Sequence, residues 1–260
     1  MAEYVWPHDL KGEADRLRLM SDLLDPSSEF HLSQLAVGTG SRCLEIGAGN
    51  GSLSQWLAQR VGPSGHVIAS DIRTDLMHGI AGNNLEVRKF DVVHDEPSDA
   101  PYDLIAIRAL LHHLPERRAV VSKVAGWLRP GGYLLIQEPD FYPTWTAEPT
   151  GQNQFWEQCL HWAAAHQIDY YVGRKIPAWL QAEGLASISS EGHAILYSGG
   201  SKFAEWWDYG IREVADQLQT EGGISQATLD EFFTCYRDPA YWTTTIAFTA
   251  TTAQRPILPD

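Results

Sequence analysis

The apolar run Cys43-Leu44-Glu45-Ile46 breaks into three alternating glycines, Gly47, Gly49 and Gly51, and a helical pattern follows at once. Glycine tolerates positive φ and lets a ligand approach bare backbone. A strand, a glycine turn and a helix start together make a nucleotide-binding corner. Dinucleotide sites want G-x-G-x-x-G, so that a pyrophosphate can rest on the helix start. Here the third glycine comes one residue early, and Ser52 holds the expected place. Glu45 precedes the first glycine by two. Its carboxylate would repel a pyrophosphate and suit a ligand carrying an ammonium and a sulfonium. The adjacent His112 and His113 offer a second kind of chemistry. An imidazole titrates near neutral pH and can take the proton of a hydroxyl. Being adjacent, only one of the two is expected to face a cleft.

These residues need a frame. Leu17, Met20 and Leu24 repeat at helical spacing, and Asp25-Pro26 is expected to stop that helix. A second short helix is expected over 29–36. Strands are expected over 42–46, 66–70, 85–90, 102–107 and 133–137, with Asp71 and Asp91 closing the second and third. Helical faces fall between them, at Leu53, Trp56, Leu57 and Val61 and at Val120, Val124, Trp127 and Leu128. Strands alternating with helices imply a mainly parallel sheet covered on both faces. After Glu138 the rhythm changes to a long aromatic, histidine-rich stretch. A helix over 176–184, a strand over 188–197, helices over 201–219 and 225–236, and a β-branched strand over 242–250 complete the pattern.

At 260 residues the chain can bury one substantial core. Its 44% hydrophobic and 20% charged residues read as a soluble globular protein. A net charge of −14 argues against nucleic acid or an anionic membrane as partner. The first residues show no basic stretch followed by an apolar core, so no signal peptide is expected. Cys43, Cys159 and Cys235 are odd in number and far apart, which fits buried thiols in a reducing cytoplasm. The expected location is cytoplasmic. The later half is dense in tryptophan and tyrosine.

The pattern hD/EhGxGxG resembles the first motif of class I S-adenosylmethionine-dependent methyltransferases. PYDLIAIRALLHHL resembles their fourth motif, and LRPGGYLLIQEPD resembles their turn and fifth strand. Tyr4 ahead of Glu13, Arg16 and Leu17, and the run Gly173-Arg174-Lys175-Ile176-Pro177, resemble cap segments of ubiquinone-biosynthesis-like and natural-product members. The resemblance covers nearly the whole chain. It implies an α/β, Rossmann-like, seven-stranded, mostly parallel sheet with a helical cap. The expected single domain spans 1–260, with a cap at 1–36, a cofactor-binding half at 37–140 and substrate elements at 141–260.

The resemblance further implies roles. S-adenosylmethionine is the expected cofactor. Tyr4, Glu45, Gly47, Gly49, Gly51, Asp71, Ile72, Asp91, Val92 and Arg108 are its expected contacts. Asp71 would take the ribose hydroxyls and Asp91 the adenine amino group. His113 occupies the histidine of an L-x-H-L pattern and is favoured over His112 as the base. Arg108 stands where metal-dependent relatives keep acids and would repel a cation, so no metal is expected. The aromatic residues Trp145, Trp156, Trp162, Trp206, Trp207, Tyr142, Tyr170, Tyr171 and Tyr209 suggest a cavity for an aromatic or polycyclic small molecule. His161 and His166 are not on one helix face, and His193 stands isolated, so all three read as cap residues. The expected reaction is O-methylation of a secondary metabolite. A same-fold cyclisation or rearrangement, N- or C-methylation, and a homodimer stay open at this point.

Overall fold

A computed structural model describes residues 10–141 and 150–257. Its main sheet has seven strands: β1 (Arg42–Ile46), β2 (His66–Asp71), β3 (Leu85–Lys89), β4 (Tyr102–Arg108), β5 (Leu128–Asp140), β6 (Ala186–Ala194) and β9 (Ala247–Gln254). Their order is β3-β2-β1-β4-β5-β9-β6. The first five run parallel, and β9 runs antiparallel to both β5 and β6. Residues of β1 and β4 are almost all buried, as expected for strands covered on both faces. The chain reverses its direction of sheet growth between β1 and β4, which opens a crevice at their carboxyl ends.

The helices are α1 (Leu10–Ser33), α2 (Ser52–Val61), α3 (Arg117–Gly126), α4 (Thr150–Ala165), α5 (Ile176–Ala182), α6 (Lys202–Glu213), α7 (Ala215–Thr220) and α8 (Gln226–Cys235). The sheet core lies in two layers. One holds Leu57, Val61, Val67 and Leu104, the other Ile68, Ile105, Val124 and Leu134. A third, aromatic core joins Phe141, Trp156, Trp207, Phe232 and Tyr236 under the cap.

Several expectations about elements change: the short helix expected over 29–36 is part of α1, and the strand expected over 188–197 ends at Ala194, with Tyr197 in a separate ladder. Pro26 does not end the first helix: α1 runs through it to Ser33. Proline removes one backbone donor, but tertiary contacts hold the helix around it. Asp25 pairs with Arg108 at 2.6 Å, and the Ser28 hydroxyl donates to Gln137 Oε1 at 2.5 Å. The expected strand over 242–250 also divides. Trp242–Thr243 (β8) pairs with Tyr197–Ser198 (β7) in a separate two-stranded antiparallel ladder, and only from Ala247 does the chain join the main sheet.

Candidate active site

The glycine turn forms the floor of a cavity of about 240 Å³ at the carboxyl ends of the strands. Gly47, Gly49 and Gly51 hold φ of +74°, +58° and +75°. Only Gly47 and Gly49 line the cavity. The Gly49 amide donates to Asp71 Oδ2 at 3.0 Å, and the Arg73 amide donates to Oδ1 at 3.0 Å. Asp71 is thus fixed at the end of β2 with its carboxylate on the cavity rim. Burial raises its pKa, against the pull of those two amides. Ile72 follows with half its surface exposed, at 51%, and lays an apolar face on the same wall.

Several expected contacts fall elsewhere. Gly51 begins α2, and a Cβ there would come within 2.2 Å of Ile80 Cδ1, so packing demands this glycine. Glu45 is buried and does not line the cavity; Ser54 of α2 donates to its carboxylate. Burial pushes its carboxyl up to about 7, although Arg108 and Ser54 act to lower it. Asp91 Oδ1 accepts from the Val93 amide at 2.9 Å and closes a local turn. Val92 is 5% exposed and belongs to the sheet core beside Phe90 and Trp127. Neither Asp91 nor Val92 lines the cavity. Arg108 does, but its guanidinium serves as a clamp, with Nη1 2.6 Å from Asp25 and 3.2 Å from Ser28 Oγ. Tyr4 lies outside the described residues.

The opposite wall carries the histidines. His112 and His113 both line the cavity, their rings 3.8 Å apart between centroids. They sit in a turn that Glu138, from the end of β5, organises. Its carboxylate accepts the Leu110 amide at 2.9 Å, the Leu111 amide at 2.7 Å and the His112 amide at 3.3 Å. Its Oε2 also lies 2.8 Å from His112 Nδ1. When ionised, the carboxylate only accepts, so Nδ1 then carries the proton and Nε2 keeps its lone pair. Burial lowers the His112 pKa to about 3, helped by Arg16 and Arg117, so the ring is neutral at pH 7. Burial lowers His113 as well, followed by the neighbouring His112. Burial pushes Glu138 up to about 7, against the three amides.

Tyr170, Trp206, Trp207, Ile246 and Phe248 complete the apolar end. Trp156 and Trp162 are instead cap core. Tyr171 lines a neighbouring groove, while Tyr142 and Trp145 lie outside the described residues.

Three site residues escaped the sequence reading. Glu13 and Arg16 of α1 line the cavity, and both are buried. Arg16 grips Glu13 with two bonds of 2.7 Å. An acid and a base three apart on a helix ordinarily mark a solvated face, which hid them. Glu138 gave no signal beyond its place at a strand end.

The site suits an adenosyl ligand with a charged amino-acid tail. Its backbone cradle admits no side chain without crowding: a Cβ on Gly47 would sit 3.0 Å from Leu110. A strand-end acid stands beside it, and a buried acid–base pair faces it.

A doubly wound sheet with this order, a glycine turn after β1 and an acid after β2 defines the class I methyltransferase architecture. The family comparison agrees. The model of a methyltransferase domain matches residues 14–190, and the chain belongs to that family of S-adenosylmethionine-dependent methyltransferases. The chain is 33% identical over 122 residues to the ubiquinone biosynthesis O-methyltransferase of Xylella fastidiosa, covering 44% of this chain and 48% of that one. It is 36% identical over 108 residues to the biotin biosynthesis bifunctional protein of Bordetella avium, covering 40% and 23%. The matches thus span half or less of these curated relatives. Among solved structures, phosphoethanolamine N-methyltransferase 2 of Haemonchus contortus, bound to S-adenosylhomocysteine, superposes with a TM-score of 0.56 at 17% identity. That match covers 86% of this chain and 51% of the other, and shows the shared fold.

Proposed function

We propose that this chain methylates an oxygen of a small, largely apolar acceptor, with His112 as the general base. One observation carries the reading. The glycine turn with Asp71 and the histidine–aromatic wall open onto the same cavity, so donor and acceptor can meet there. When bound, S-adenosylmethionine supplies a methyl group already activated by its sulfonium.

The protein's tasks are then alignment, exclusion of water and removal of one proton. Gly47 and Gly49 present backbone to the adenosyl group, Asp71 accepts from its ribose hydroxyls, and Ile72 packs on its base. Arg16 and Glu13 face the amino-acid end, one charge for each of its termini. Trp206, Trp207, Tyr170 and Phe248 hold an aromatic acceptor and keep water out. The acceptor's hydroxyl proton passes to His112 Nε2, and Glu138 stabilises the imidazolium through Nδ1–H. His113 packs on the His112 ring and limits its rotation. Arg108, paired with Asp25 at the end of β4, offers no ligand atom to a divalent cation, so proton removal falls to His112.

Incubation with methyl-labelled cofactor and a panel of phenols and quinols tests this reading. Label on an acceptor oxygen is expected. Label on nitrogen or carbon, or an isomerised product without label, overturns it.

A further inference from the structure

The last turn of α1 brings a histidine to the edge of the sheet. His31 is 8% exposed, and its Nε2 is buried without a hydrogen-bond partner. Buried polar atoms are nearly always paired, so this ring nitrogen can take a partner brought to it from outside the chain. Across from it runs β6, the edge strand. Glu191 and His193 are two apart on that strand and share a face. The isolation of His193 in sequence is therefore lifted by the fold. One ligand atom from each of His31, Glu191 and His193 lies within 4.8 Å of the other two. None of the three lines the cavity.

We propose that His31, Glu191 and His193 form a zinc site that fastens the end of α1 to the edge strand. Two imidazoles and a carboxylate are a ligand set that zinc accepts, with water in the fourth position. Bonds of about 2.0–2.2 Å to a tetrahedral ion bring ligand atoms to roughly 3.4 Å from one another. The present spacing is wider, and His193 and Glu191, with 64% and 55% of their side chains exposed, are free to swing inward. His31 is the fixed member. The metal has a mechanical role: α1 lines the cavity with Glu13, Arg16, Leu17 and Met20, and the clamp holds its far end.

The test uses the full chain, stripped with a chelator and titrated with zinc chloride by calorimetry, with melting followed in parallel. One ion per chain with micromolar or tighter Kd is expected, with a rise of several degrees in Tm. His193→Ala and Glu191→Gln alter exposed side chains only and leave the apo melting point in place. Each should weaken zinc binding tenfold or more, and the double variant should lose the Tm rise. Cobalt(II) on the wild type should give the visible bands of a tetrahedral N/O site, absent from the double variant. No zinc binding at micromolar concentration overturns the proposal, as does unchanged affinity in the double variant.

Discussion

The Oε2 atom of Glu138 lies 2.8 Å from Nδ1 of His112, while the same carboxylate accepts amides of residues 110, 111 and 112. One buried side chain thus sets both the shape of the catalytic turn and the tautomer of the ring. Glu138→Gln leaves a single acceptor oxygen for these donors. The variant should lose turnover by up to ~10²-fold while binding S-adenosylhomocysteine as before. Its pH profile separates this role from mere scaffolding. The wild-type rate should fall as the pH drops through about 7, where Glu138 takes up a proton. The variant should lack that limb. An unaltered profile would show that Glu138 serves the turn alone.

Asp71 is held by the Gly49 and Arg73 amides at the cavity rim. A charge-assisted hydrogen bond contributes about 1.5–3 kcal/mol. Asp71→Ala should therefore weaken S-adenosylhomocysteine binding by about tenfold to a hundredfold, read by calorimetry. Asp91→Ala, whose carboxylate caps a turn off the cavity, should leave that affinity nearly unchanged. Equal losses in both variants would extend the adenosyl pocket to Asp91.

The strand–glycine–helix corner was legible because its constraints are local. Positive φ at Gly47 and Gly49 favours glycine, and apolar strands alternating with helices imply a mainly parallel sheet. The acids were harder. Glu45, Asp71 and Asp91 all sit at or near strand ends, yet only Asp71 reaches the cavity. Which way a strand-end carboxylate turns depends on the donors that packing brings to it. Ser54 and the Val93 amide, both near in space, claim the other two. Glu138 acts through amides that only the fold brings to it, and the local Glu13–Arg16 pair is a site feature only because the fold buries it. Pro26 shows the same limit for local structure, since α1 continues through a residue that ordinarily stops helices, with Asp25 beside it tied to Arg108.

Glu45 titrates with a clear sign. Its folded carboxyl sits at about 7 against an ordinary 4.5, so the folded state holds a proton that the unfolded chain has released. Stability from this group is full below 4.5 and is lost as the pH rises through about 7. Glu45→Gln mimics the protonated form at every pH. Its stability relative to wild type should grow by about 1.4 kcal/mol per pH unit between pH 5 and 7 and then level off. The lowered histidines His112 and His113 tilt the curve the opposite way, but they do so in both proteins and cancel in the difference. Urea denaturation at a series of pH values measures the gap, and a constant gap would place the Glu45 carboxyl near its ordinary value.

Arg108 and Asp25 tie α1 to the end of β4 at 2.6 Å, with only 5% of the arginine side chain exposed. Removing Arg108 leaves Asp25, 23% exposed, without its counter-charge, at a cost below the roughly 3–5 kcal/mol of a fully buried pair. Arg108→Met should therefore lower Tm by a few degrees. The loss should reach the site, because α1 supplies Glu13, Arg16, Leu17 and Met20 to the cavity wall. S-adenosylhomocysteine should bind more weakly even well below the new Tm. Combining Asp25→Leu with Arg108→Met removes both charges, and a buried pair replaced by apolar residues is often close to neutral. The double variant should recover much of the lost Tm and most of the cofactor affinity. Recovery of Tm without recovery of affinity would mean that Arg108 also touches the cofactor, as the fourth-motif resemblance implied.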